Sequence, residues 1–302
     1  MNRLRADALL VLAAFIWGTA FIAQKQANES MGPILFVGLR FTLTALVVAP
    51  LALREARRAT TPLTRRESLQ AAGIGVGLFA GSVLQQVGLV TTTATKGGFL
   101  TAVYLVMVPF AAWLTARTPL RPVILLACAV SLAGAFLLAG NIDLRAWSPG
   151  DLTVLLADVA WAFQITQVSR FLERSHRPFF LAFAQAGITG LLAIVLGLTL
   201  EQVSLTGIES AGVSLLYAGL CSGGIAFTIQ VVSQRYTPAA EASLLMSLES
   251  VFAAAAGAYF FHDRLDARGL LGCALILAGA VGVELYPSVL AKMRRSEHPE
   301  KY

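Results

Sequence analysis

The chain has 302 residues, of which 57% are hydrophobic and 13% are charged, and its mean hydropathy is +0.72. Soluble globular domains carry about 25% charged residues, so this composition excludes a water-soluble domain. Apolar runs of roughly twenty residues recur along the chain, and a helix of that length crosses a bilayer core. The composition therefore predicts an all-α polytopic membrane protein. The net charge of +6 then bears on membrane orientation and not on nucleic-acid binding.

Ten apolar runs, numbered spans 1 to 10, follow one another in chain order. Asp7 and Asp151 are predicted N-caps of spans 1 and 6, because an aspartate accepts backbone N–H groups at a helix start. Pro33 and Pro178 stand at the first turns of spans 2 and 7, where a missing N–H costs nothing. The predicted spans cover residues 7–25, 33–53, 68–90, 95–116, 121–139, 151–170, 178–200, 212–234, 238–261 and 267–286.

The chain also repeats itself at an offset of 145 residues. Residues 127–135 read ACAVSLAGA and residues 272–280 read GCALILAGA, with six of nine positions identical. The same offset relates Gln85 to Gln230, Thr92 to Thr237, Lys96 to Glu241, and Tyr104 to Glu249. An offset one residue shorter relates Asp7 to Asp151 and Trp17 to Trp161. Internal repeats in an apolar chain are typical of secondary transporters.

Each repeat holds five predicted spans. The first repeat covers residues 1–140, the second covers residues 150–287, and residues 288–302 are a predicted cytoplasmic tail. Because five is odd, the second repeat begins on the opposite side of the membrane from the first. The predicted fold is therefore ten transmembrane helices in two inverted five-helix repeats, with a substrate site near the bilayer midplane between them.

Lysine and arginine are distributed unevenly between the two sides of these spans. Seventeen of the 23 lie before span 1, after the even-numbered spans 2, 4, 6 and 8, or after span 10. Five lie on the other side, and Arg40 lies inside span 2. Because cytoplasmic loops are enriched in these residues, both termini are predicted to be cytoplasmic, in the inner or plasma membrane of the cell.

Three charged residues fall well inside predicted spans, where charge is costly and faces protein or a watery cavity. Glu249 is near the middle of span 9, and Asp158 and Arg40 are about two helical turns into spans 6 and 2. A carboxylate here can bind a cationic group, carry a coupling proton, or form a buried structural contact. The long side chain of Arg40 can alternatively reach the nearer membrane surface. Lys96 and Glu241, at the starts of spans 4 and 9, either line entrances or are interfacial end groups.

Polar and aromatic side chains inside the spans are the predicted lining of a small-molecule pocket. Trp161 and Gln164, three residues apart, share one helix face. The alternative is that such residues form interfacial belts and helix–helix contacts. The predicted substrate-binding residues are Trp17, Ser82, Gln85, Gln86, Thr101, Tyr104, Trp161, Gln164, Gln230, Ser243, Ser247 and Glu249.

Catalytic and cofactor motifs are absent from the sequence. The three cysteines lie in apolar runs without paired or metal spacing, and the three histidines are far apart. No phosphate-binding GxxxxGK[ST] loop occurs, which argues against an ATP-driven pump. The sequence thus predicts no enzyme activity, cofactor or metal. Its predicted partners are a small-molecule substrate and the lipid bilayer, with no nucleic acid, and monomer and homodimer both remain open.

Three stretches resemble a known family. AAFIWGTAFIAQK in span 1, GDLTVLLADVAWAFQI in span 6 and LLMSLESVFAAAAGAYFFHDRL in span 9 are similar to the EamA branch of the drug/metabolite transporter superfamily. Within it, the chain looks most like the YddG-type amino-acid exporters. The resemblance implies a central cavity lined by spans 1, 3, 4, 6, 8 and 9. Ser250 stands where the family often has a proline, so a proline kink is not expected in span 9.

The predicted function is a secondary transporter that exports small metabolites by alternating access at this cavity. Amino acids, including aromatic or apolar ones, are the first expectation. The alternatives within transport are an exporter of drugs or organic cations and a carrier of another metabolite. The alternatives outside transport are an intramembrane enzyme and a non-transporting scaffold.

Overall fold

Helices account for all ten predicted spans in the computed structural model, which describes residues 1–92, 94–140, 147–260 and 266–297, and these residues contain no strand. The first repeat contains α1 (Arg3–Ser30), α2 (Pro33–Arg58), α3 (Arg65–Thr91), α4 (Ala94–Thr101), α5 (Tyr104–Ala116) and α6 (Pro122–Leu138). The second contains α7 (Pro149–Arg174), α8 (Pro178–Leu200), α9 (Leu205–Ser210), α10 (Gly212–Leu216), a π-helix (Tyr217–Phe227), α11 (Thr228–Ser233), α12 (Ala239–Met246), α13 (Glu249–Phe260) and α14 (Ala267–Glu297).

Nine helical spans in the described residues are long and apolar enough to cross a membrane. The tenth, span 5, is the shorter apolar helix α6 of 17 residues. Because each repeat contributes five crossings, the two repeats are inverted relative to each other, as predicted. Helix α14 continues to Glu297, and residues 298–302 lie outside the described residues. The boundary of the tail at residue 288 therefore stays a prediction.

Local sequence signals explain where several helices begin. Pro33 and Pro178 occupy the first turns of α2 and α8, as predicted. The predicted N-caps were wrong. Helix α1 begins earlier than predicted, because Asn2 accepts the N–H of Arg5 as its N-cap. Helix α7 is capped by Ser148, and Asp151 is the third helical residue of a reciprocal capping box.

The repeated stretch of small residues lies where spans 5 and 10 pack together. A Cβ atom added to Gly134 of α6 would lie 2.6 Å from the carbonyl oxygen of Gly272 in α14. The symmetry-related approach places a Cβ at Gly279 2.9 Å from the carbonyl oxygen of Ala127. Transmembrane helices associate closely through small residues, and this packing explains why both copies of the stretch keep glycine and alanine.

Packing between the repeats follows an approximate two-fold symmetry. Span 2 packs on its own equivalent, span 7, and span 5 packs on span 10. Span 3 packs on span 6, and the equivalent pair, spans 8 and 1, also pack together. The two repeats therefore meet at four pairs of spans, and spans 1, 3, 6 and 8 form two of those pairs.

Spans 4 and 9 are interrupted at equivalent positions. The break in span 4 lies at residues 102–103, just before Tyr104, and the break in span 9 lies at residues 247–248, just before Glu249. Tighter i to i+3 bonds replace the α-helical pattern there, including Leu248 N–H to the carbonyl of Leu245. Span 9 is thus interrupted although Ser250 stands where the family often has a proline. Both breaks bring their following residue to the start of a new helix.

Candidate functional site: a cavity between the two repeats

Both repeats contribute to a central cavity of about 60 Å³. It is lined by spans 1, 3, 4, 6, 8 and 9, and also by span 2. The lining residues are Trp17, Phe21, Gln24, Arg40, Gln85, Thr101, Tyr104, Trp161, Ile165, Ser222, Phe227, Gln230, Met246 and Glu249. A volume of this size holds a few water molecules, whereas pockets for small-molecule ligands occupy about 300–1,000 Å³. The central cavity in this structure is therefore smaller than a typical small-molecule pocket.

Seven of the twelve predicted substrate-binding residues line this cavity, namely Trp17, Gln85, Thr101, Tyr104, Trp161, Gln230 and Glu249. The other five lie outside its lining. Gln86 and Gln164 are bonded behind the wall, Ser82 is fully buried, and Ser243 and Ser247 donate to carbonyl groups of their own helix. Whether any of the twelve binds substrate remains a prediction.

Three aromatic side chains form the apolar part of the cavity wall. The ring of Phe227 lies edge-on to Trp17 at 4.9 Å and stacks on Trp161 at 5.8 Å with an interplanar angle of 19°. Trp17 Nε1 donates to the carbonyl oxygen of Ser222, 3.2 Å away. The Nε1 of Trp161 is buried and has no hydrogen-bond partner in the described part of the chain. The wall therefore offers flat apolar faces and one unused donor.

Sequence reasoning missed Phe227, which occupies the position equivalent to the predicted residue Ser82. Of these two equivalent residues, Ser82 was predicted to line the cavity, but only Phe227 does so. Phe227 ends the π-helix of span 8, whose turn differs from the 3.6-residue period used to assign faces. The other lining residues outside the predicted set are Phe21, Gln24, Arg40, Ile165, Ser222 and Met246.

Glutamine side chains form the polar part of the wall. Gln85 Nε2 donates to Thr101 Oγ1 at 3.1 Å. On the other repeat, Gln230 Nε2 donates to Gln234 Oε1 at 3.1 Å, and its own Oε1 is buried without a partner among the described residues. Gln230 Nε2 also lies 3.5 Å from Gln164 Oε1, and Gln164 Nε2 donates to Gln185 Oε1 at 2.9 Å. These bonds hold the lining amides in place and leave one acceptor unused.

Charged side chains of both signs lie at the cavity. Glu249 is 6% exposed and Arg40 is 4% exposed, and both are in the lining. The surface-seeking arrangement considered for Arg40 is therefore not adopted. Asp158 is fully buried next to the lining, and neither of its carboxylate oxygens has a hydrogen-bond partner in the described chain. It lies within electrostatic range of Glu249 and Tyr104.

Polar clusters lie beyond the two ends of the cavity, and each links one repeat to the other. In the first, the Asp151 cluster, Thr92 Oγ1 donates to Asp151 Oδ1 at 2.5 Å and Lys96 Nζ lies 2.6 Å from Asp151 Oδ2. In the second, the Asp7 cluster, Thr237 Oγ1 donates to Asp7 Oδ1 at 2.6 Å. The two aspartate–threonine pairs are related by the repeat symmetry, and they lie at opposite ends because the repeats are inverted.

Arg3 supplies the cation in the Asp7 cluster. Its guanidinium lies 3.6 Å from Asp7, 3.1 Å from Glu241 and 3.2 Å from Glu284, and Arg121 adds a 3.5 Å contact to Glu241. Glu241 is the repeat equivalent of Lys96, so the charge at this position changes sign between the clusters. Lys96 and Glu241 each form an ion pair across the repeats.

A second cavity, of about 350 Å³, lies at the Asp7 end of the molecule. We call it the vestibule, and its lining includes Arg121, Arg170, Glu173, Gln234 and Glu241. Glu241 belongs to both the vestibule and the Asp7 cluster. The vestibule therefore adjoins the Asp7 cluster.

A cavity between two repeats of membrane-spanning helices, with ion pairs and hydrogen bonds that join the repeats, is typical of a polytopic membrane transporter. The chain belongs to the EamA-like transporter family, which matches it twice, over residues 4–140 and 148–285. The two matches show that the chain contains two EamA repeats, and they confirm membership of the drug/metabolite transporter superfamily. The family is named for transport and not for an enzyme activity.

Two individual proteins are similar to the chain. An uncharacterized transporter from Archaeoglobus fulgidus is 28% identical over 288 residues, which cover 94% of this chain and 87% of that protein. A protein of known crystal structure superposes with a TM-score of 0.78 at 20% identity, over 96% of this chain and 99% of the other. At that identity the second likeness bears on the fold alone. Neither likeness supports the amino-acid exporter subfamily in particular.

Proposed function

We propose that this protein exports small metabolites from the cytoplasm by alternating access at the central cavity. Amino acids, including those with aromatic or apolar side chains, are the substrates proposed first. The observation that carries the proposal is the pair of symmetry-related hydrogen bonds between the repeats, Thr92 with Asp151 and Thr237 with Asp7. In the proposal these bonds are the closures at the two ends of the cavity. A carrier needs a closure at each end, and only one of them opens at a time.

The small volume of the cavity supports a closed state with both ends shut. Opening the Asp151 end breaks contacts between repeats there, while the Asp7 end remains joined, and the reverse holds for the other half of the cycle. Rocking of one inverted repeat against the other produces this alternation. Because each aspartate–threonine pair spans the repeat boundary, each pair breaks only in one of the two open states.

The composition of the wall supports amino acids with large apolar side chains. Trp17, Trp161 and Phe227 offer aromatic faces, which interact with an aromatic side chain by about 0.5–1.5 kcal/mol beyond area burial. The carboxylate of Glu249 can accept the ammonium group. Burial lowers the local dielectric constant, which strengthens such a charge-assisted bond.

The direction of export rests on the proposed orientation. The distribution of lysine and arginine supports cytoplasmic termini, and in that orientation the Asp7 end and the vestibule face the cytoplasm. The cell membrane location, the repeat boundaries at residues 1–140 and 150–287, and the cytoplasmic tail are part of the same proposal. A polar vestibule on the cytoplasmic side suits the capture of hydrophilic metabolites from that compartment.

The second candidate is export of drugs or organic cations. Asp158 and Glu249 place two carboxylates near an aromatic wall, and Asp158 has no partner in the described residues. An aromatic wall with carboxylates is also a site for cations. A carrier of another metabolite is the third possibility, for which no feature of the wall argues specifically.

Counterflow in proteoliposomes tests the proposal. The purified protein is reconstituted, loaded with a panel of unlabelled amino acids, and assayed for uptake of the labelled compound outside. Exchange of aromatic or apolar amino acids is expected, with a protein-free liposome and a working carrier as controls. If no amino acid exchanges while a labelled organic cation does, the second candidate replaces the first.

A further inference from the structure

Arg40 is the cation of the central cavity, and no described carboxylate neutralises it. Its side chain is 4% exposed, it lines the cavity, and it takes part in no ion pair among the described residues. Its Nε has no hydrogen-bond partner there either. An arginine carries its charge at every physiological pH and presents five donors. A charge buried without a partner is strongly unfavourable.

The contacts that Arg40 does make leave its donors unused. Its guanidinium carbon lies 5.5 Å from the ring centre of Phe36 and 5.0 Å from that of Phe41. Such cation–π contacts use the faces of the rings, and they do not satisfy N–H groups. The two rings therefore support the guanidinium and leave its donors for a partner in the cavity.

Repeat symmetry relates each of the two lining charges to a neutral residue. Pro33 and Pro178 are related by the offset of 145 residues, and the same offset relates Arg40 to Gln185. Gln185 is buried and accepts a hydrogen bond from Gln164 at 2.9 Å. The scaffold thus accepts a neutral side chain at this position.

Glu249 departs from the symmetry in the same way. Its equivalent is Tyr104, which is neutral and also lines the cavity. One cavity therefore contains one added cation and one added carboxylate, and each stands where the other repeat has a neutral residue. A charge that the fold does not require is best explained by the ligand.

We propose that Arg40 binds the carboxylate of the substrate while Glu249 binds its ammonium group, so that the cavity selects zwitterions. This inference rests on the proposed function, because it assigns a chemical class to the substrate of the same cavity. A guanidinium matches a carboxylate with two parallel hydrogen bonds. The pair also fixes the orientation of an amino acid, so that its side chain meets the aromatic wall.

Three compounds with one aromatic side chain test the assignment. L-phenylalanine carries both charges, 2-phenylethylamine lacks the carboxylate, and 3-phenylpropionate lacks the ammonium group. Binding to the purified protein in detergent is measured by ligand-dependent thermal stability, which does not require transport. For the unsubstituted protein we expect phenylalanine to bind about tenfold or more tightly than either analogue.

Substitutions then assign each charge to its residue. Arg40→Gln introduces the side chain found at the equivalent position of the second repeat. We expect this substitution to weaken the binding of phenylalanine about tenfold or more and to leave the binding of phenylethylamine unchanged. Glu249→Gln is expected to weaken the binding of phenylalanine and to leave the binding of phenylpropionate unchanged. Arg57→Gln removes the same charge from an exposed position on the same helix, and it is expected to change none of the three.

The outcomes separate this inference from the proposed function. Arg40→Gln could instead weaken the binding of phenylalanine and of phenylethylamine equally, with amino-acid counterflow intact. This result would overturn the role of Arg40 and leave the proposed function standing. The selective pattern without any amino-acid counterflow would support the subsite and overturn amino-acid export. If Arg40→Gln does not insert, Arg40→Lys replaces it, since lysine keeps the charge and loses the two-point geometry. Arg40→Lys should weaken the binding of phenylalanine more than the binding of phenylethylamine. An equal effect on the binding of both compounds would overturn the inference.

Discussion

Replacing Asp151 by asparagine should open the cavity from the Asp151 side. The carboxylate has contacts of 2.5 Å with Thr92 and 2.6 Å with Lys96, and its side chain is 1% exposed. Asparagine keeps the shape and loses the charge that Lys96 faces. Breaking one partner of a buried ion pair costs about 3–5 kcal/mol, and partial exposure of Lys96 favours the lower end. A loss of about 3 kcal/mol shifts the balance between closed and open forms by about a hundredfold.

The matched substitution, Asp7→Asn, should act from the other side and more weakly. Asp7 has a 2.6 Å bond from Thr237 and a 3.6 Å contact with Arg3. Arg3 keeps its contacts with Glu241 at 3.1 Å and Glu284 at 3.2 Å. The expected loss is therefore about 1 kcal/mol, or roughly a fivefold shift.

Cysteine labelling measures both effects. The cavity residue Thr101 is replaced by cysteine in a protein whose three native cysteines are replaced by serine. Serine suits position 128 because Cys128 Sγ donates to the carbonyl oxygen of Leu105 at 3.4 Å, and a hydroxyl group can make the same bond. This carbonyl has no helical donor, since Pro109, four residues later, lacks an N–H. A membrane-impermeant maleimide is applied to right-side-out and inside-out vesicles, and the labelling rates are compared.

Opposite sidedness is the outcome that the reasoning requires. Asp151→Asn should raise labelling from one side and Asp7→Asn from the other, with the larger change for Asp151→Asn. Increased labelling from the same side for both variants would refute the two-closure interpretation. Unchanged labelling for Asp151→Asn, in protein that inserts normally, would also refute it.

Four further predictions concern the wall, the topology and the packing. Trp161→Ala should weaken a transported aromatic substrate by up to about tenfold, from the loss of about 0.5–1.5 kcal/mol of aromatic contact, when transport is compared at matched membrane abundance; unchanged affinity and rate would assign it to packing. A reporter active only in the cytoplasm, fused after Tyr302, should be active, and a silent but inserted fusion would reverse the orientation. Glu249→Gln should insert and transport poorly or with altered pH dependence, whereas unaltered transport of every substrate and at every pH tested would make Glu249 structural. Gly18→Ala should lower thermal stability and transport because the added Cβ would lie 2.5 Å from the carbonyl oxygen of Glu249. Gly73→Ala, with nothing within 4 Å of the added atom, should be neutral or slightly stabilising, since alanine favours a helix by about 1 kcal/mol over glycine.

The sequence alone was sufficient for the spans and for their arrangement as inverted repeats. Transfer of an apolar helix into a bilayer depends on the length and composition of one segment, so each span could be read locally. Inversion followed from counting five spans per repeat. The repeat offset also related Trp17 to Trp161 and Tyr104 to Glu249, and all four line the cavity.

Tertiary structure decided which face of each span meets the cavity. Ser82 and Phe227 are equivalent in sequence, yet only Phe227 reaches the lining, at the end of a π-helix that the usual period does not describe. The breaks before Tyr104 and Glu249 occur without proline at the break itself. Such irregular turns are selected by neighbouring helices, whose contacts involve residues far apart in the chain.

The two aspartates show the same limit most directly. Read locally, Asp7 and Asp151 are helix caps, because a carboxylate near a helix start satisfies free N–H groups. In the folded chain Asn2 and Ser148 are the caps, and the aspartates bond to Thr237 and to Thr92. These partners are 230 and 59 residues away in sequence. A hydrogen bond at that separation depends on how the two repeats pack, and no local pattern of residues encodes that packing by itself.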